Sequence, residues 1–153
     1  ELLTTFGSLY DMSKEDIKNS IENIIKIMDM SDFIDNRIEN LSTGQTQRTS
    51  IARCLIHNPN IYIFDEPTLG LDVLSSKSII DFMKSEKEKG KTVIYSTHYM
   101  EEAEILCDKI YMMHKGEFIE EGTCEELKDK YNTNSLRDIF IKLVSERGDL
   151  NEI

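Results

Sequence analysis

The sequence predicts an α/β domain with a mostly parallel sheet, helices on both faces and a helical part at its start. Three observations carry this. Apolar residues recur at helical spacing between Ser13 and Met30; two short β-rich runs, IYIF at 61–64 and VIYS at 93–96, end in polar residues; and helical stretches alternate with those runs.

In the first helix Ile17, Ile21, Ile24, Ile25 and Met28 share one face, and Ser13 is its expected N-cap with Asp16 three residues on. A polar stretch from Asp32 to Asn40 leads to LSTGQ at 41–45, after which Ile51, Ala52, Leu55 and Ile56 give a second helix that Pro59 stops. IYIF, closed by Asp65-Glu66-Pro67, reads as a buried strand with acidic residues at its carboxyl end. A helix from about Val73 to Lys89 ends at Gly90, and VIYS reads as a second buried strand. Tyr99 to Cys107 reads as a short acidic helix. Glu101-Glu102-Ala103-Glu104 and the Lys84 to Lys91 stretch read as solvated helix surface. IYMM at 110–113 and EFIE at 117–120 flank His114-Lys115-Gly116 as a hairpin, and two helical stretches follow, about 125–131 and 135–145. The expected organisation is a helical part over 1–57, the rest of the α/β core over 58–122 and a helical tail over 123–153.

Composition excludes several classes. Against 29 acidic residues stand 18 basic ones, a net charge of -11, which leaves no cationic excess for a nucleic acid backbone. No run approaches the roughly 18 apolar residues of a membrane span, and Glu1 to Thr5 do not form a signal peptide. The expectation is a cytoplasmic chain that meets the membrane through another subunit. Cys54, Cys107 and Cys124 are widely spaced, without a C-x-x-C pair, and read as reduced thiols. The opening at Glu1, without an initiator Met, suggests an excerpt of a longer protein.

Ligands of open α/β sheets bind beyond the carboxyl ends of the strands. Here those positions hold Asp65-Glu66 and Ser96-Thr97-His98. An Asp there can hold Mg²⁺, a neighbouring Glu can orient an attacking water, and His98 can donate to a phosphate oxygen. Ser42 and Gly44 begin a helix, whose unpaired amides and positive dipole end attract phosphate. Elsewhere, His57 and His114 read as plain surface residues. Arg48 and Arg53 fit a helix-face charge as well as a functional role.

The order LSTGQ, Gln47-Arg48, Ile51-Ala52-Arg53, IYIFDEP, Leu69-Gly70-Leu71-Asp72 and Ser96-Thr97-His98 resembles the ABC ATPase family across most of the chain. The resemblance implies a P-loop NTPase-type sheet with a helical subdomain. It makes LSTGQ the signature motif, with Ser42, Thr43, Gly44 and Gln45 facing the γ-phosphate of ATP held by an opposite domain. It makes Asp65 a Mg²⁺ residue, Glu66 and His98 catalytic, and Asp72 the D-loop carboxylate that communicates across the same interface. It also implies ATP and Mg²⁺ as cofactors, and as partners a second ABC ATPase domain, in a homodimer or heterodimer, and a transmembrane permease subunit. The tail, from Glu117 through Glu125-Glu126-Leu127-Lys128 to Ser135–Leu143, is similar to the drug- and sodium-export branch, which implies export on the inner face of the cell membrane.

The departures are informative. Thr43 stands where the commonest signature has Gly. No G-x-x-x-x-G-K-[ST] occurs: Gly90-Lys91-Thr92 imitates its end, but Ser85 replaces the first Gly and the segment leads from helix to strand. The domain is therefore expected to be incomplete, marginally stable or self-associating, and inactive in isolation. The rival readings are a soluble, non-transport ABC ATPase and a fragment that catalyses nothing.

Overall fold

The computed structural model describes residues 1–148. It comprises two compact units, Glu1–Ser96 and Thr97–Ile153.

The first unit begins with helices α1 (Leu2–Leu9) and α2 (Lys14–Ile27). Ser13 caps α2 as expected, its Oγ accepting the Asp16 amide at 3.1 Å. Gly7 lets the two helices approach, because a Cβ there would meet Ile17 Cγ1 at 2.7 Å. A 3-10 turn at Ile38–Asn40 leads into α3 (Thr43–Leu55), which ends before Pro59, with Asn58 in the left-handed region at φ 51°. Ile17 and Ile24 of α2, Met28 and Phe33 after it, and Ile51 and Leu55 of α3 are buried, with α1 packed against both helices.

Strands β1 (Ile61–Asp65) and β2 (Thr92–Ser96) pair in parallel, in register from Ile61↔Thr92 to Asp65↔Ser96. Helix α4 (Val73–Glu88) makes the crossover between them. The reading of both strands as buried is half wrong. Tyr62 and Phe64 are buried, Tyr62 edge-on to Phe82 of α4, yet Ile61, Ile63 and Ile94 are 59%, 73% and 54% exposed. An apolar run in a parallel strand is written for cover on both faces, and the described residues cover one. On the open side lies a cavity of about 500 Å³ lined by residues that include Phe6, Tyr10, Arg53, His57, Ile61 and Ile63.

Two further expectations fail in this unit. The Lys84 to Lys91 stretch is solvated at Lys84 and from Glu88 to Gly90 but not at Glu86, which is buried and joined to Tyr62, Lys89 and Lys91. His57 stacks on Tyr10 at 3.7 Å, and burial, reinforced by the Lys91 ammonium, lowers its pKa. Gly90, at φ 82°, makes the helix-to-strand turn expected of it.

The second unit contains α5 (Met100–Leu106), β3 (Ile110–His114), β4 (Glu117–Gly122), α6 (Cys124–Tyr131) and α7 (Leu136–Glu146). Strands β3 and β4 form the expected hairpin, separate from the β1–β2 pair. Lys115 and Gly116, both at positive φ, form its two-residue turn. Ala103, Ile110, Met112, Leu127, Leu136 and Ile139 make its core, while Tyr111, Met113 and Phe118 stay exposed. The acidic run of α5 is not a solvated face. Glu102 is buried and accepts the Thr97 hydroxyl at 2.9 Å. Glu104 accepts Lys128 Nζ at 2.8 Å and the Leu136 amide at 3.0 Å. His114 is half-buried and meets the Phe140 ring edge-on, so it too is more than a surface residue. Cys54, Cys107 and Cys124 form no disulfide among the described residues. No helix among the described residues is long and apolar enough to cross a membrane.

Candidate functional site

Two places in the first unit collect the residues that the motifs single out. The first is the start of α3. Ser42 is its N-cap, accepting the Gln45 amide at 3.2 Å, while the Gln45 side chain accepts the Ser42 amide at 3.0 Å. This reciprocal capping box fixes the helix entry. It uses the Ser42 and Gln45 side-chain oxygens as acceptors, and Thr43 and Gly44 head the first turn, where amides have no carbonyl partner inside the helix. Thr43 is exposed. Gly44 lies against the loop after β1, since a Cβ on it would sit 3.5 Å from Leu71 Cδ2.

The second place is the carboxyl end of the sheet. Asp65 and Ser96 are register partners, and the exposed Asp65 carboxylate accepts a short hydrogen bond from Ser96 Oγ. Glu66 follows at φ 43°, a left-handed backbone that costs a non-glycine residue about 1–2 kcal/mol. Its surroundings hold it there. The Glu66 amide donates to the Ser96 carbonyl at 3.1 Å and lies 3.3 Å from Ser96 Oγ, and the Glu66 carbonyl accepts the Leu69 amide at 3.1 Å. Pro67 and Thr68 are buried, and the Thr68 and Tyr95 hydroxyls lie 3.4 Å apart. The result is a carboxylate aimed by a strained turn rather than by a regular strand.

Asp72 is the N-cap of α4. One carboxylate oxygen accepts the Leu74 and Ser75 amides, each at 3.0 Å, and the other accepts the Ser75 hydroxyl at 2.7 Å. These bonds, led by the Ser75 amide, hold the carboxyl below its usual pKa. His98 belongs to the second unit, exposed and two residues ahead of α5, its ring 4.1 Å from that of Tyr99. The first unit thus brings Ser42, Thr43, Gly44, Gln45, Asp65, Glu66 and Asp72 together in one compact body, with His98 outside it.

Two arginines left open by the sequence now have structural partners. Arg48 donates to the Met28 and Asp29 carbonyls at 3.2 and 2.8 Å and lies over the Phe33 ring. Arg53 lies over Phe6. Sequence reasoning named Ser96 and Gln47 as motif positions without a role: Ser96 Oγ donates to Asp65 and its carbonyl accepts the Glu66 amide, and Gln47 Nε2 donates to the Pro67 carbonyl at 3.2 Å. Of these features only the capping box has a local sequence signature, Ser-x-x-Gln, and it was not read from the sequence.

Residues 3–69 match a family model described as ABC transporter. Taken with the ordered motifs and the fold, this makes the chain similar to the ATP-binding proteins of ABC transporters. It is 42% identical over 94% of its length to the ABC transporter ATP-binding protein NatA of Bacillus subtilis, and covers 59% of that protein. It is 37% identical over 85% of its length to the Nod factor export ATP-binding protein I of Rhizobium meliloti, covering 39% of it. A solved ATP-binding subunit of an ABC transporter superposes with a TM-score of 0.83 at 25% identity, over 94% of this chain and 60% of that one. The ATP-binding cassette MJ0796, solved as a dimer in a post-hydrolysis state with ADP and Pi, superposes at 0.65 with 32% identity, over 73% of this chain and 49% of that one. The chain therefore spans only part of the length of these relatives.

Proposed function

We propose that this chain is the signature and Walker B portion of an ATPase subunit, which works as a pair of domains to drive export through a membrane permease on the cytoplasmic face. The observation that carries the reading is the paired strand end. There Asp65 and Glu66 sit beyond a parallel sheet, in the same compact unit as a capped helix that opens on Thr43 and Gly44. The relatives support it: one is an export ATP-binding protein, and one solved cassette is a dimer holding ADP and Pi.

The donor set fits part of what such chemistry requires. Mg²⁺ takes hard oxygen ligands and is commonly held by one or two carboxylates plus substrate phosphates; the exposed Asp65 carboxylate suits that role. A bound Mg²⁺ would supply charge neutralisation at the transferring phosphoryl group. The helix start at Ser42–Gly44 suits an anion presented by another domain. The residues do not fit a nucleotide held in cis, because no G-x-x-x-x-G-K-[ST] is present. Within these limits Glu66 orients a water and takes its proton, and His98 donates to a phosphate oxygen. Ser42, Thr43, Gly44 and Gln45 contact the partner domain's phosphate, with Asp72 alongside.

The test is turnover by the complete subunit, at the full length of its relatives. Glu66→Gln keeps ATP binding and lowers kcat at least about a hundredfold. Retained turnover removes Glu66 from this role.

A further inference from the structure

We propose that Gln47 is a positioning residue that ties the phosphate-facing helix to the catalytic carboxylate. The inference rests on the reading of Glu66 given above. The turn after β1 holds Glu66 at positive φ, and most of its restraints come from the sheet or from the turn itself: the Ser96 carbonyl and hydroxyl, the Leu69 amide, and Tyr95 against Thr68. The Gln47 bond is different in origin. Its amide reaches from α3 across 20 residues of sequence to the carbonyl of Pro67, the residue directly after Glu66.

Gln47 stands one turn inside the helix from Ser42 and Gly44, so it moves as one body with the helix start. The same loop runs close to the helix start further on, since a Cβ on Gly44 would sit 3.5 Å from Leu71 Cδ2. The directional bond at Pro67 is therefore what ties α3 to the loop carrying Glu66. An anion arriving at the start of α3 shifts or stiffens the helix, and Gln47 transmits this to the turn that aims Glu66. The neighbouring Arg48 points elsewhere, to the Met28 and Asp29 carbonyls at the end of α2. Adjacent residues thus divide the work: Arg48 fastens α3 to the helical layer, and Gln47 fastens it to the turn that carries Glu66.

The test is steady-state ATP hydrolysis by the complete subunit, with Glu66→Gln run beside it to report on the site reading. Gln47→Met keeps side-chain length and volume but removes the donor. It is expected to lower kcat about fivefold while leaving KM for ATP and the melting temperature unchanged. Gln47→Lys restores an N–H donor of similar reach and is expected to recover most of that loss. Wild-type kcat in Gln47→Met overturns the proposal while Glu66→Gln still confirms the site. So does a loss of kcat that tracks a loss of melting temperature, or one that Gln47→Lys leaves unrecovered. Turnover retained by Glu66→Gln overturns both.

Discussion

The two ends of strand β1 are built on opposite principles. At its start, Tyr62 donates to the Glu86 carboxylate at 2.8 Å, Lys91 lies 2.7 Å from that carboxylate and Lys89 2.6 Å. Lys91 also bonds Tyr62 and Asn58. The Glu86 and Lys91 side chains are 5% and 11% exposed. Burial pushes the Glu86 carboxyl up, but the bonds from Lys89, Lys91 and Tyr62 overcome it and leave the pKa lowered. At its finish, a few residues away, Asp65 is exposed and Glu66 sits on a left-handed turn. One end satisfies its charges internally and locks β1, α4 and β2 together. The other leaves the Asp65 carboxylate exposed, beside the turn that carries Glu66. A single five-residue strand is thus anchored where it begins and chemically open where it ends.

Mutations at the two ends should therefore differ in kind. The largest effect is expected from Glu86→Ala, which strands the Lys91 ammonium and the Tyr62 hydroxyl in a site with little water. A loss of about 3 kcal/mol in urea unfolding is expected, and a change under 1 kcal/mol would show that the closed end is ornamental. Tyr62→Phe removes one donor from the same cluster and keeps the ring packed on Phe82; about 1 kcal/mol should be lost, read from the shift in denaturation midpoint. Asp65→Asn at the open end retains an acceptor for Ser96 Oγ on an exposed residue. Its unfolding free energy should stay within about 0.5 kcal/mol of wild type. A larger loss would mean that the open end is also part of the frame.

What the sequence made legible follows from the range of the interactions concerned. Ser13 and Pro59 act on their own neighbours, so the boundaries of α2 and α3 could be read from them. The places of Asp65 and Glu66 at a strand end and of Ser42 and Gly44 at a helix start were legible, because strand ends and helix starts have local signatures. Glu86, Glu102 and Glu104 were misread as solvated because their partners lie in other elements: Tyr62, Lys91, Thr97, Lys128 and Leu136. The same holds for Gln47, whose acceptor is a backbone carbonyl 20 residues away. The exposure of Ile61, Ile63 and Ile94 was hidden for another reason. Periodicity reports that a strand expects cover on both faces, and it says nothing of whether the described residues supply it.

The central claim is that these residues hold a phosphate site for a partner domain and a hydrolytic carboxylate, without a nucleotide cradle of their own. The most direct measurement is MgATP binding by calorimetry, comparing this 153-residue chain with the complete subunit. Saturable binding by the complete subunit and none by the chain is the expected result. Stoichiometric MgATP binding by the chain alone would contradict the claim.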